Sequence, residues 1–337
     1  MASSSLFFPT RTSEKHQSGP MHRIKLMCTR FPISDASYLV GTVFAIGSAF
    51  FVVNGFFILL PLTAPELTFK GQSAYAVPVS SVIGTFLFNL GGYAGWLEGL
   101  NWKRGGAASL TDGVMIRAED MSPDDEKSKD EEDARDSGST SDSSTNQGTF
   151  ASQQMNTPMA TTKAIADEYM ASPIATWQPA LIGTEAFVWW PTMRQFRKAY
   201  RHDHTFWSGL IQWIGTIIFA IATITAVPGV IYLDDQTQYY YANLFPATLG
   251  GVFFIVAALF QMRAAQHSWF VPAVTKLDWH IGLWNLIGSI GFTLAGGLLY
   301  FGTTATMLQA TAASFWGSWA FLIGSILQWY CSVGNYP

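Results

Sequence analysis

The chain has 337 residues, of which 49% are hydrophobic, 15% aromatic and only 12% charged, and its formal net charge is −4. Soluble domains carry about 25% charged residues, so this composition excludes an ordinary soluble enzyme, a nucleic-acid-binding protein with a basic face and a disulfide-rich scaffold. Of the 23 acidic residues, 10 lie between Glu119 and Asp136. The rest of the chain is poor in charge, which indicates a multi-span membrane protein with a polar insert.

Six apolar segments have the length of about 20 residues that a helix needs to cross a bilayer. None contains Asp, Glu, Lys or Arg, and their residues do not alternate as they do in a membrane β-barrel. The predicted spans are 38–62, 77–97, 206–228, 242–262, 281–301 and 313–333. A weaker candidate, 172–191, contains Glu185 and the prolines Pro173 and Pro179, and we interpret it as interfacial or re-entrant.

Of the 19 basic residues, 18 fall on one side of these spans, and Lys70 is the exception. The positive-inside rule therefore predicts that both termini are cytoplasmic, without distinguishing the plasma membrane from an endomembrane.

The chain divides into a mostly disordered cytoplasmic tail (1–37), a first transmembrane hairpin (38–97), an acidic and then Ser/Thr-rich disordered insert (98–170), an interfacial amphipathic segment (171–205), a second hairpin (206–262), a short cytoplasmic loop (263–280), a third hairpin (281–333) and the C-terminal end (334–337).

Each span carries two small residues seven positions apart, and such a pair lies on one face of a helix. A face of small residues lets helix backbones approach closely, which favours helix association in lipid. The pattern predicts an all-α protein of six transmembrane helices arranged as three repeated hairpins. The predicted packing residues are Gly41, Ser48, Gly92, Gly209, Thr216, Gly251, Ala258, Gly282, Ser289, Ser318 and Ser325, and Thr85 completes the pair in the second span.

A basic amphipathic helix is predicted over 189–204. Arg194, Arg197, Lys198 and Arg201 recur on one face, and aromatic and apolar residues recur on another. Such a helix can lie in the headgroup layer and attract anionic lipids. The alternative is a soluble lead-in to the third span with a solvated charged face.

Amide side chains are the main polar groups inside the spans, and they commonly hydrogen-bond between helices. The sharper interpretation is a polar solute path lined by Asn89, Gln212 and Asn285. No nucleophile, acid–base, phosphate-binding or zinc motif occurs in the sequence, and His202–Asp203–His204 lacks further metal ligands. The sequence therefore predicts no enzyme activity, no cofactor, no metal and no nucleic-acid partner.

The last hairpin, LWNLIGSIGFTLAGGLLYF followed by SFWGSWAFLIGSILQWYC, carries a Gly–Ser pair in each helix, at Gly288–Ser289 and Gly324–Ser325. It resembles the YrhK-like hairpin. The chain is similar to fungal polytopic membrane proteins that contain such hairpins, including the FVWWPT…FWSGLIQWIGT junction at 187–216. The resemblance implies a helical membrane fold and brings no activity or catalytic residues.

Three function classes follow. The sequence favours a non-enzymatic membrane organiser or adaptor whose cytoplasmic insert regulates it and recruits proteins. The alternative is a small-solute transporter or channel with an amide-lined path. An intramembrane enzyme has the least support, because no catalytic set of residues is present.

Overall fold

The computed structural model describes residues 19–102, 180–232 and 234–334, without the side chain of Lys198. Within these ranges six helices are long and apolar enough to span a membrane, and no β-strand occurs. The helices are a short α1 (Pro20–Thr29) and the spanning α2 (Ala36–Thr63), α3 (Val77–Asn101), α4 (His204–Thr225), α5 (Phe245–Ala265), α6 (Leu277–Leu298) and α7 (Thr304–Val333). The chain is an all-α, multi-pass membrane protein, as the sequence predicts.

Three of the spanning helices begin before their predicted spans because a polar residue outside the apolar window caps each of them. The side chains of Asp35, Asp203 and Thr303 accept hydrogen bonds from the first backbone amides of α2, α4 and α7. The predicted span 206–228 instead continues past the end of α4 at Thr225. Two π-helical turns, Gln72–Ala76 and Tyr239–Leu244, lengthen α3 and α5 at their N-terminal ends.

The six spanning helices form a closed ring. Each packs along the span before it and the span after it in the chain, and α7 packs against α2. The outer surface of the ring is apolar, with exposed side chains such as Ile46, Phe86, Ile217 and Ile290. A belt of this kind is unfavourable in water and suits a lipid environment.

The short helix α1 packs against the C-terminal end of α7. Leu26 on α1 is 6% exposed and lies in one apolar cluster with Val333. The tail 1–37 is predicted to be mostly disordered, and the structure differs for residues 19–37, because this apolar contact gives α1 a packing partner. Residues 1–18 lie outside the described part of the chain.

The segment before α4 lies against the ring without crossing it. Residues 180–191 form turns, and Glu185 is exposed, so the described part of the candidate 172–191 is not a spanning helix. Two short helical pieces follow, Met193–Gln195 and Phe196–Tyr200. Residues 103–179, which include nearly all of the predicted insert, lie outside the description.

Candidate functional site: a polar cavity inside the helix ring

A small polar cavity lies inside the ring, toward the end that carries α1. Its volume is about 90 Å³, and all six spanning helices contribute to its wall. The helix α2 contributes apolar side chains, whereas the other five each bring polar ones. The polar lining consists of Glu98 from α3, Thr205, Ser208 and Gln212 from α4, Gln261 from α5, Asn285 from α6, and Ser325 and Gln328 from α7.

Hydrogen bonds between helices hold three amides of this lining, Gln261, Asn285 and Gln328. The Asn285 side-chain amide donates to Oε1 of Gln261 at 2.9 Å, which joins α6 to α5. The Gln328 amide donates to Oε2 of Glu98 at 3.4 Å, which joins α7 to α3. Each of these bonds joins two different helices. The cavity wall therefore forms only when the helices close into a ring.

The two serines of the lining donate their hydroxyl hydrogens to backbone carbonyls. Ser208 donates to the Ala257 carbonyl at 2.9 Å, and Ser325 donates to the Phe321 carbonyl within its own helix at 2.7 Å. A serine hydroxyl has one hydrogen and two acceptor lone pairs. Each serine therefore keeps acceptor capacity at its oxygen.

A cluster of phenylalanines closes the cavity on the side away from α1. All six spanning helices contribute to the cluster, and Phe44 and Phe321 belong both to it and to the cavity lining. Neighbouring rings make edge or stacked contacts, with centroid distances such as 5.0 Å between Phe44 and Phe88. The cluster consists of Phe44, Phe51, Phe88, Phe219, Phe254, Phe292 and Phe321.

Toward α1 the cavity meets a wider vestibule of about 700 Å³, and Glu98, Gln261 and Gln328 line both spaces. The vestibule adds the charged residues Arg23 and Asp278. Arg23 lies on α1, and Asp278 lies in the first turn of α6. The polar site is therefore open toward the face of the protein that carries α1.

Two of the three residues predicted to line a polar path lie in this cavity. Gln212 and Asn285 belong to the wall, whereas Asn89 does not. The Asn89 amide donates to the Thr85 carbonyl at 3.0 Å and to the Thr216 carbonyl at 3.3 Å. Asn89 thus joins α3 to α4 as an interhelical packing contact.

Glu98 is the charged residue of the described site, and sequence reasoning placed it just outside the second membrane span. The predicted second span ends at residue 97 because a carboxylate is unfavourable in an apolar window. The helix α3 continues to Asn101, so Glu98 lies within it, at the level where Gln328 can donate to its carboxylate. The sequence did contain one signal for this site. Gln261 and Gln328 have matching positions near the ends of their spans, and Glu98 follows the second span at a similar level.

The predicted packing residues are buried, and their glycines lie at close helix contacts. A Cβ atom added at Gly251 would lie 2.8 Å from the Cα atom of Thr293, and one at Gly92 would lie 3.2 Å from the Cα atom of Trp213. Such contacts leave no room for larger side chains. The buried residues are Gly41, Ser48, Gly92, Gly209, Thr216, Gly251, Ala258, Gly282, Ser289, Ser318 and Ser325.

Contacts at equivalent repeat positions support the interpretation as three hairpins. The first small residue of each predicted hairpin lies against the last helix of another, always at the same position of the repeat. The repeated arrangement remains an interpretation, because it rests on these contacts and on the sequence pattern. The contacts are Gly41 with Trp329, Gly209 with Trp96, and Gly282 with Met262.

Part of the aromatic and apolar face predicted for the basic segment before α4 packs on protein, because Phe196 and Tyr200 belong to a cluster with residues of α3 and α4. Tyr200 is 4% exposed and donates its hydroxyl hydrogen to the Leu100 carbonyl at 3.0 Å, so it packs on protein. Trp190 is 70% exposed. Among the predicted headgroup contacts, Arg197 and Arg201 are exposed and Arg194 is half-buried, and the side chain of Lys198 lies outside the described part.

Asn101, at the end of α3, is a residue that the sequence did not single out. It is fully buried, its side-chain amide donates to the Val188 carbonyl at 2.9 Å, and its side-chain oxygen accepts from the Val188 amide at 2.7 Å. This pair of bonds fastens the segment before α4 to the ring. A hydropathy window gives no signal for such a contact, because it joins residues far apart in the chain.

No protein-family model matches this chain, and comparisons with curated proteins and with solved structures find no match. The resemblance to the YrhK-like hairpin therefore remains an expectation. The cavity has to be interpreted from the chemistry of its own residues.

Proposed function

We propose that this protein transports small polar solutes and that the cavity inside the helix ring is the solute-binding site. The observation that carries the proposal is the gathering of polar side chains from five helices around one cavity. The sequence alone favours an organiser over a transporter, and the cavity reverses that preference.

The chemistry of the wall supports a binding role. Polar groups in an apolar span are costly unless they are hydrogen-bonded, and ionisable groups there commonly mark pathways for solutes or ions. A bundle that only had to pack would gain nothing from placing Glu98, Gln212 and Gln328 around one open space. Ligand sites typically combine an apolar surface with a few convergent polar groups, as this one does.

The cavity is open at one end and closed at the other, and this difference supports alternating access. It opens toward α1 through the vestibule, and the phenylalanine cluster separates it from the opposite face. Secondary transporters with internal repeats expose a central site to one side at a time by moving one repeat against another. In this proposal the phenylalanine cluster parts when the site opens to the other side.

Three further points are proposals. An even number of spans puts both termini on one side, and the basic residues favour the cytoplasm. Exposed Arg197 and Arg201 would contact anionic headgroups. The organiser hypothesis depends on the insert 98–170, nearly all of which lies outside the described residues, and deletion of 105–165 with loss of co-purifying proteins would support it.

A flux assay tests the transport proposal. The purified chain is reconstituted in vesicles, and efflux of a mixed panel of small amines, amides, polyols and carboxylates is compared with that from protein-free vesicles. We expect at least one solute to leave faster through the protein, and Gln212→Leu to slow that flux. The matched control is Gln236→Leu, which changes an exposed glutamine at the opposite end of the molecule.

Two results would contradict the proposal. One is a flux for every solute equal to that of protein-free vesicles, with correctly folded protein present. The other is a flux that Gln212→Leu and Gln236→Leu leave equally unchanged, because the solute would then cross without using the cavity.

A further inference from the structure

We propose that the cavity binds a small neutral carboxamide, with its carbonyl and NH₂ groups paired to the side-chain amide of Gln212. This inference deepens the proposed function, on which it rests, because it names the solute class for the same site. It follows from where the charge of the wall lies, from the hydrogen-bond roles of the lining and from the size of the cavity.

The charge of the described wall lies at the mouth of the cavity. Glu98 lines both the cavity and the vestibule, and it has protein partners, among them the Gln328 amide, which donates to it at 3.4 Å. An ion that left water for the inner space would find no opposite charge in the described inner wall to offset its desolvation. The inner wall therefore favours a neutral polar solute. The polar residues that line the cavity but not the vestibule are Ser208, Gln212, Asn285 and Ser325.

The lining offers a solute both donors and acceptors. Within the described ranges the side chains of Gln212 and Thr205 make no hydrogen bond to protein, and the Gln261 side chain takes part only as an acceptor. Their N–H and O–H hydrogens can therefore serve a ligand. Ser208 and Ser325 donate to backbone carbonyls and keep acceptor capacity at their oxygens. A matching ligand carries an acceptor and donors together.

Gln212 determines the arrangement of those groups in the ligand. Its side-chain amide holds a carbonyl oxygen and an NH₂ group side by side in one plane. A second primary amide brings the same two groups, so the pair closes a ring of two hydrogen bonds, one in each direction. Ser208 lies one turn from Gln212 on the same face of α4 and offers an acceptor for the other N–H hydrogen of the ligand. A ketone or a carboxylate has no N–H group with which to complete this pairing.

The size and the floor of the cavity limit the rest of the solute. A water molecule occupies about 30 Å³ in the liquid, so a cavity of about 90 Å³ holds a solute of only a few non-hydrogen atoms. Phe44 and Phe321 form an apolar floor. A short hydrocarbon group on the carbonyl carbon, such as the methyl group of acetamide, suits this floor.

Equilibrium dialysis of the full chain in lipid nanodiscs tests the inference with a set of molecules of nearly identical shape. The probe is acetamide. Acetone lacks its N–H donors, acetate is an anion without donors, and acetamidinium is a cation without a carbonyl acceptor. We expect acetamide to bind more tightly than the other three. We expect Gln212→Leu to weaken acetamide binding about tenfold or more, because both hydrogen bonds of the amide pair are lost.

The variant control is Gln236→Leu, which changes an exposed glutamine at the opposite end of the molecule and should leave acetamide binding unchanged. If Gln212→Leu does not fold, the comparison of the four probes on the unmodified chain still decides. Acetone or acetate binding as tightly as acetamide would overturn the inference, as would a folded Gln212→Leu variant that binds acetamide normally. Tighter binding of acetamidinium, or no binding of acetamide at all, would overturn it as well.

The outcome is separable from that of the transport proposal. Flux of another solute through the cavity without acetamide binding would support transport and overturn the carboxamide site. Acetamide binding that depends on Gln212, in a protein that carries no flux, would support the site and overturn transport.

Discussion

Gly209 of α4 lies so close to Gly95 of α3 that a Cβ atom at residue 209 would collide with the Gly95 carbonyl oxygen. That Cβ would also lie 2.9 Å from the Cα atom of Trp96. The contact is not reciprocal. A Cβ atom at residue 95 would meet only a methyl group of Val40, at 3.9 Å. Two glycines at one helix crossing therefore differ in how much they tolerate a side chain.

This difference predicts opposite effects of the same substitution. Gly209→Ala should lower the free energy of unfolding by about 1–3 kcal/mol, because the added methyl group meets backbone that cannot move away without separating α3 and α4. Gly95→Ala is the matched control and should be neutral or slightly stabilising, since alanine is favoured over glycine in a helix by about 1 kcal/mol.

Thermal unfolding of both variants in the same detergent, followed by size-exclusion chromatography, measures the effect. Equal melting temperatures for the two variants would contradict the close contact of α3 with α4.

A second prediction concerns Asn101, whose side chain makes two hydrogen bonds to Val188. Asn101→Ala should increase amide hydrogen exchange in residues 180–190, because these bonds fasten the segment to the ring. Each lost bond leaves a buried partner unsatisfied at a cost of about 1–3 kcal/mol. Exchange mass spectrometry in nanodiscs makes the measurement.

Asn243→Ala is the control for this experiment. The Asn243 amide donates to the Ala222 carbonyl at 2.7 Å, near the opposite end of the ring. It should change exchange near its own site and leave residues 180–190 unaffected. Unaltered protection of 180–190 in Asn101→Ala would show that the apolar contacts of Phe187 hold the segment without the amide.

The spans could be predicted from sequence because a lipid-crossing helix needs a long apolar run, which a hydropathy window detects directly. Their ends could not, because capping residues such as Asp35 and Asp203 and the π-helical turns extend helices beyond the apolar window. The helix α1 escaped detection for a related reason. It is short and polar, and a single buried leucine, Leu26, attaches it to the ring.

The site was only partly predictable. The amides of the spans are visible in the sequence, but which of them share a space depends on how each helix is rotated in the ring. Gln212 and Asn285 face the cavity, whereas Asn89 faces α4. Glu98 was excluded from the predicted span by its charge, although ring closure brings Gln328 to it.

A third prediction tests the arrangement of the chain in the membrane. Cys28 on α1 is exposed, whereas Cys331 in α7 is half-buried. In sealed cells a membrane-impermeant maleimide should label Cys28 only after the membrane is opened, because the basic residues place that face in the cytoplasm. Tyr232→Cys, in a background with both native cysteines replaced, should be labelled from the side of the membrane opposite to Cys28, since it lies in a loop at the other face.

Labelling of Cys28 and of the cysteine at position 232 from the same side would contradict the three spans that separate them, and with them the whole ring. Labelling of Cys28 alone in intact cells would instead indicate the opposite orientation, with α1 outside the cytoplasm.

The last prediction concerns Phe88, which is 1% exposed and contacts Phe44, Phe51 and Phe321 at centroid distances of 5.0, 4.9 and 5.6 Å. Phe88→Ala removes the ring at the centre of the cluster that closes the cavity. We expect unfolding to become easier by about 3–5 kcal/mol, since a buried aromatic side chain is replaced by a void. We also expect vesicles with the variant to leak small solutes, because the void adjoins the cavity floor.

Phe86→Ala separates these effects from any general effect of losing an aromatic residue from α3. Phe86 is 62% exposed on the outer surface of the ring, so its removal should change neither stability nor leak appreciably. A destabilised but tight Phe88→Ala variant would mean that the remaining rings close over the void and that the barrier does not depend on any one of them. Equal leak from both variants would mean that solutes pass outside the ring, which would contradict the phenylalanine cluster as the barrier.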